Sequence, residues 1–125
     1  MYLLDSTVLI DHFNDVHPAT EWISSHAERS VYISVVTYAE VLAGFPSNVW
    51  PRVTGFLDKF ECLSVTRSIA LKAAEFRQSH KFKLPDAFQA AIAVEHKITL
   101  ITRDSGDFNP HVHKFVKIPY RWPIS

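Results

Sequence analysis

Residues 85–104 read PDAFQAAIAVEHKITLITRD, and the fold turns on how this stretch is read. Ala87, Phe88, Ala90, Ala91, Ile92, Ala93 and Val94 make its first half almost wholly apolar, as expected of a helix buried all round. A helix is expected from Pro85 to His96, with the proline in the first turn, where a missing N–H leaves no bond unmade. Ile98-Thr99-Leu100-Ile101-Thr102 follows at once, β-branched and apolar, and is expected to be a buried strand. A buried strand directly after a buried helix closes a β-α-β unit. The sheet is therefore expected to be parallel, with helices on both faces.

The rest of the chain repeats this grammar. Tyr2-Leu3-Leu4, Val31–Val36 and Glu61–Val65 read as strands, and an edge strand is expected within Val112–Ile118. Helices are expected over Thr7–Phe13, Ala19–Glu28, Thr37–Phe45, Pro51 to about Phe60, and Ser68–His80, where Ile69, Ala73 and Phe76 form an apolar stripe. The expectation is a single domain over residues 1–125, a three-layer α/β/α architecture around a mainly parallel sheet of four to five strands. Pro119 to Ser125, with Trp122, read as an irregular tail.

Composition narrows the function classes. The hydrophobic share is 47% and the aromatic share 13%, ordinary values for a globular core. No apolar run reaches the ~20 residues that span a bilayer, and no basic segment followed by a long apolar one opens the chain. Cys62 is the sole cysteine, which suits a reducing cytoplasm and excludes an intrachain disulfide. Thirteen basic residues balance thirteen acidic ones. If five of the acids gather in one cleft, the remaining surface is basic, an arrangement suited to a phosphodiester substrate.

Asp5 closes the first expected strand and Asp104 follows the last confident one. Glu40 and Asp86 fall in the first turns of expected helices that begin on the same side. In an open parallel sheet this is the edge where ligands bind. Each acid also has a local explanation. Asp5 is a natural N-cap, and Thr37-x-x-Glu40 matches a capping box. Asp86 suits a helix dipole, and Asp104-Ser105-Gly106-Asp107 is a good turn. Together the four resemble a carboxylate cage for a hard divalent cation, because like charges gathered in one cleft are costly without one. No glycine-rich phosphate loop, nucleophile elbow or paired-cysteine motif points to another site.

Four stretches, taken in order, resemble the PIN-domain nucleases, and most closely the VapC-type toxins of bacterial toxin–antitoxin pairs. They are Leu4-Asp5-Ser6-Thr7-Val8-Leu9-Ile10-Asp11, Thr37-Tyr38-Ala39-Glu40-Val41-Leu42-Ala43-Gly44, Leu84-Pro85-Asp86-Ala87-Phe88-Gln89-Ala90-Ala91-Ile92-Ala93, and Leu100-Ile101-Thr102-Arg103-Asp104 with Asp107-Phe108. The resemblance implies a doubly wound PIN-like sheet, Mg²⁺ or Mn²⁺ at the acidic cluster, and metal-dependent endonucleolytic cleavage of RNA. It implies metal binding and catalysis by Asp5, Glu40, Asp86 and Asp104, with Asp107 a less firm ligand and the hydroxyls of Thr7 and Thr102 in support. It also implies an antitoxin partner, a homodimer and no membrane. Two departures stand out: the pair after Asp5 is Ser6-Thr7, and Asp104 stands where the toxins often carry Asn.

Lys72, Arg77, His80, Lys81 and Lys83 precede Asp86, and Arg103 adjoins Asp104. They are candidates for tracking RNA phosphates, or else a solvated helix face and loop. His111-Val112-His113 has the spacing of one strand face, without a third metal ligand. Two other readings stay open. One is a non-catalytic RNA-binding scaffold. The other is a phosphoacceptor receiver domain, to which Asp5 without an acidic neighbour and Asp58 within a helix are ill suited.

Overall fold

The computed structural model describes residues 1–121. Five short strands form one sheet in the order β3-β2-β1-β4-β5, and every pairing is parallel. They are β1 (Tyr2–Leu4), β2 (Val31–Ser34), β3 (Glu61–Leu63), β4 (Thr99–Ile101) and β5 (Val116–Lys117). Two helices join each of the first three pairs: α1 (Ser6–Phe13) and α2 (His17–Ser24), α3 (Val35–Ala43) and α4 (Trp50–Leu57), then α5 (Arg67–His80) and α6 (Leu84–His96). Among the described residues no helix is long and apolar enough to cross a membrane.

Strand periodicity splits the core into two layers. Leu3 and Leu100, opposite each other in register, face α5 and α6 together with Ile69, Ala73, Ala90 and Phe108. Leu4 and Ile101, the next pair, face the other way with Ile33, Val8, Val41 and Leu57. These strand leucines and isoleucines are wholly buried. The chain leaves β1 toward β2 and later returns to place β4 on the other flank of β1. The sheet order thus reverses between β1 and β4, which makes a crevice at their carboxyl ends. The backbone N–H of Asp5 donates to the Ile101 carbonyl at 2.9 Å and seams the two strand ends together.

Several boundaries differ from expectation. β2 stops at Ser34 rather than running to Val36. The Ser34 hydroxyl accepts the Thr37 N–H at 3.1 Å, so Ser34 is the N-cap and the β-branched Val35 and Val36 open α3. Thr37 is therefore no N-cap, and Glu40 sits in the second turn of α3 instead of a capping box. Helix α2 starts earlier than expected, with Pro18 in its first turn, and ends before a 3₁₀ turn at Glu28–Ser30. β5 covers two residues only, so His111 and His113 lie in the turns before it and share no strand face. His113 packs instead among Phe82, Phe115 and His80. Trp50 caps the end of α3 by donating Nε1–H to the Leu42 and Phe45 carbonyls. Asp58 ends α4 and accepts the Tyr38 hydroxyl, so it does not follow a strand as a receiver's acceptor would. Trp122 and the residues after it lie outside the described residues.

Candidate metal centre

Asp5 is the N-cap of α1, as its local sequence suggests, and it also stands where the ends of β1 and β4 meet. Its carboxylate is 4% exposed and held from three directions. Oδ2 accepts the Thr7 hydroxyl at 2.9 Å and the Thr102 hydroxyl at 3.0 Å. Those hydroxyls in turn accept the backbone N–H groups of Arg103 and Asp104, each at 3.1 Å. Oδ1 accepts Nε2–H of Gln89 at 3.2 Å. The loop that carries Asp104 is thereby tied to the start of α1 through two threonines.

Asp86, Asp104 and Asp107 bring carboxylate oxygens within 4.8 Å of one another. Asp86 comes from the first turn of α6, where Pro85 has no N–H to satisfy. Asp104 and Asp107 come from the turn after β4, where the Asp107 N–H donates to Asp104 Oδ1 at 3.0 Å. Asp107 thus serves the turn and also joins the cluster. The Asp86 carboxyl is pushed up to about 7, first by burial and then by the charges of Asp5, Asp107, Asp104 and Glu40. Asp107 is raised chiefly by its hydrogen bond and proximity to Asp104. Glu40 is raised by burial and by Asp5, against a lowering hydrogen bond from Ser6.

Four other carboxylates therefore act electrostatically on Asp86, although Asp5 and Glu40 stand outside the tightest triad. An all-oxygen donor set with mutual repulsion fits a hard divalent cation, which compensates the charge and needs no softer ligand. Beside Glu40 opens a groove of about 390 Å³, walled by Val35, Val36, Ala39, Leu84, Pro85 and Phe88. Val35 and Leu84 are among the large apolar side chains the protein exposes.

The basic candidates divide. Lys83 is exposed at the N-cap of α6, and its charge lowers Asp107, so it stands at the cluster. Lys81 is exposed in the left-handed residue that ends α5. Arg77 uses Nη1 to donate to the Phe82 carbonyl at 2.9 Å, and Lys72 is half-buried on α5. The Arg103 guanidinium grips buried Asp11 with two bonds, at 2.5 and 3.0 Å. The Tyr120 hydroxyl donates to the same Asp11 at 2.8 Å.

Sequence reasoning missed Gln89, Ser34, Thr37 and Asp11 as parts of this site. Two signals were present. Gln89 is a lone amide in an apolar helix, three residues from Asp86 and on its face. Asp11 follows Thr7 by four residues, so both reach the Arg103 segment from one side of α1.

The chain resembles known proteins in sequence and in fold. Residues 2–109 match the PIN domain family model. The chain is 33% identical over 114 residues to ribonuclease VapC10 of Mycobacterium tuberculosis, covering 86% of each protein. It superposes on a chain of a toxin–antitoxin complex from Klebsiella pneumoniae with a TM-score of 0.86 at 31% identity, over 97% of this chain and 99% of that one. It also superposes on a chain of FitAB bound to an IR36 DNA fragment, with a TM-score of 0.83 at 25% identity, over 100% and 98%.

Proposed function

The chain belongs to the PIN-domain family, and from that membership we propose that it is a metal-dependent endoribonuclease, the toxin of a toxin–antitoxin pair. The observation that carries the reading is the meeting of Asp86, Asp104 and Asp107 within 4.8 Å, over Asp5, at the point where the sheet order reverses. Asp5, Glu40, Asp86 and Asp104 are the residues proposed to hold Mg²⁺ or Mn²⁺, with Asp107 beside them. A cation bound there would supply Lewis-acid polarisation of a phosphoryl oxygen and a lowered pKa for water.

The chain's own groups do the positioning. Thr7 and Thr102 fix the Asp5 carboxylate, and the turn from Arg103 to Asp107 delivers two further carboxylates as a unit. Lys83, exposed at the rim, is the cation best placed to hold a phosphate of the RNA, with Lys81 next along the chain. Arg103 acts in this reading through its backbone and its grip on Asp11. Substrate repulsion by the acids would keep RNA out of the metal-free cleft, so substrate and cation are expected to bind together. No side chain is asked to be a covalent nucleophile.

The antitoxin is proposed because similar chains occur in a toxin–antitoxin complex and in FitAB. A basic segment of such a partner would complement the acidic cleft. A homodimer is proposed as the working unit, tested by light scattering on the eluting protein. The reducing cytoplasm is the proposed compartment, consistent with a single, exposed, free Cys62.

Incubation of the purified protein with total cellular RNA, with and without Mn²⁺, tests the reading. Cleavage with discrete mapped ends is expected only with the metal, and Asp5→Asn and Asp86→Asn are each expected to abolish it while keeping the fold. Wild-type cleavage rates in both variants would refute the assignment.

A further inference from the structure

Gln89 is 1% exposed in a helix whose other buried side chains are alanine and isoleucine, yet every polar atom of its amide is used. Nε2 donates to Asp5 Oδ1 at 3.2 Å and to Thr37 Oγ1 at 2.8 Å. Oε1 accepts the Ser34 hydroxyl at 2.5 Å. Ser34 also accepts the Thr37 N–H, and its hydroxyl lies much closer to Gln89 Oε1 than to its other acceptor, Thr37 Oγ1 at 3.4 Å. The flipped amide would present an oxygen to a carboxylate. One side chain thus joins the three elements that carry Asp5, Glu40 and Asp86.

We propose that Gln89 is a positioning residue for the divalent cation: its amide orients Asp5 so that the remaining lone pair of Oδ1 faces the cleft. Asp5 Oδ2 already takes two threonine hydroxyls, and Gln89 is the side chain that donates to Oδ1 among the described residues. A neutral donor suits this place better than either charged choice. A lysine here would neutralise Asp5 and compete with the cation, and a glutamate would add one more repelling charge. Loss of a partner that orients a ligand from behind commonly weakens metal binding about ten- to a hundredfold.

This inference rests on the cation-binding reading above, and one titration separates the two. Mn²⁺ is titrated calorimetrically into wild type, Gln89→Met, Ser34→Ala and the double variant, without RNA and well below each melting temperature. Gln89→Met is expected to weaken Mn²⁺ binding about tenfold or more, and Ser34→Ala to weaken it through the same amide. The double variant should be no weaker than Gln89→Met alone. The Mn²⁺ concentration for half-maximal RNA cleavage should rise in step, with KM for RNA unchanged once Mn²⁺ is saturating. A merely structural glutamine would lower the melting temperature and leave the affinity of the folded protein as it was. Folded Gln89→Met with wild-type Mn²⁺ affinity would overturn the proposal, and if that variant fails to fold, unchanged affinity in Ser34→Ala overturns it instead. No Mn²⁺ uptake by wild type would remove the metal site itself, and this inference with it.

Discussion

Asp86 is the residue on which the other carboxylates act. Its carboxyl is raised from 3.8 to about 7, so the folded chain holds that proton more tightly than the unfolded chain does. Its contribution to stability is therefore fully present below the ordinary carboxyl value and is lost as pH rises through about 7. Without metal, Asp86→Asn is expected to raise the melting temperature at pH 8. For a half-exposed carboxyl the gain is screened to about 1 kcal/mol, or about 3 °C. The gap should narrow as pH falls through 7, and a gap independent of pH in thermal melts would contradict this. With Mn²⁺ the order should reverse, since the variant loses a ligand. At this scale the sequence was informative where an acid stood at an element's end. Asp5, Asp86 and Asp104 were legible because strand ends and helix starts announce themselves in turn and capping residues. Glu40 was named from its place near the start of an expected helix, and the capping box offered as its local explanation does not exist. Gln89 and Asp11 were hidden because a polar residue inside a helix declares its partner only once distant elements are packed against it.

The element that matters most is the turn after β4. It is held at one end by the backbone bonds from Arg103 and Asp104 to Thr7 and Thr102, and across its side by the Arg103 grip on Asp11. Asp11 is buried and takes donors from Arg103 and Tyr120 alike. Asp11→Ala would strand a partly buried guanidinium and a hydroxyl, and is expected to cost about 3 kcal/mol in urea unfolding. It should also loosen Asp104 and Asp107, so nuclease activity should fall although Asp11 touches no cluster oxygen. A cost below about 0.5 kcal/mol, the level of an ordinary surface change, would remove this strut. The lysine-rich segment ahead of α6 makes a separate prediction. Neutralising Lys81 and Lys83 together should weaken RNA binding and reduce its dependence on salt, and an unchanged salt slope would take them out of the interface. Element types and order were legible from periodicity, but their edges were not. Val31–Val36 is a β-branched run that reads as one strand, yet Ser34 caps α3 and turns Val35 and Val36 into helix. The competition between capping and propensity is settled by the hydrogen bond from Thr37 and by Gln89 behind it.

Across the whole molecule, the parallel order β3-β2-β1-β4-β5 puts the ends of β1 and β4 side by side and aims the starts of α3 and α6 at the same crevice. The parallel sheet with helices on both faces was legible because strands alternate with buried helices, while the order of the strands across it was not. The meeting of the five acids followed from it, while the division into a tight triad with Asp5 and Glu40 behind depended on packing that no spacing encodes. A fold that confines this much negative charge is stabilised by whatever neutralises it. Mn²⁺ at a hundredfold excess over its Kd should add about 2.7 kcal/mol to stability, read as a rise in melting temperature. The increment should vanish in a variant lacking both Asp86 and Asp104. The most direct test is anomalous scattering from crystals soaked in Mn²⁺. The account predicts a strong peak bound by oxygens of Asp86 and Asp104, with Asp5 facing it. Occupied Mn²⁺ peaks elsewhere, with none at those carboxylates, would contradict it.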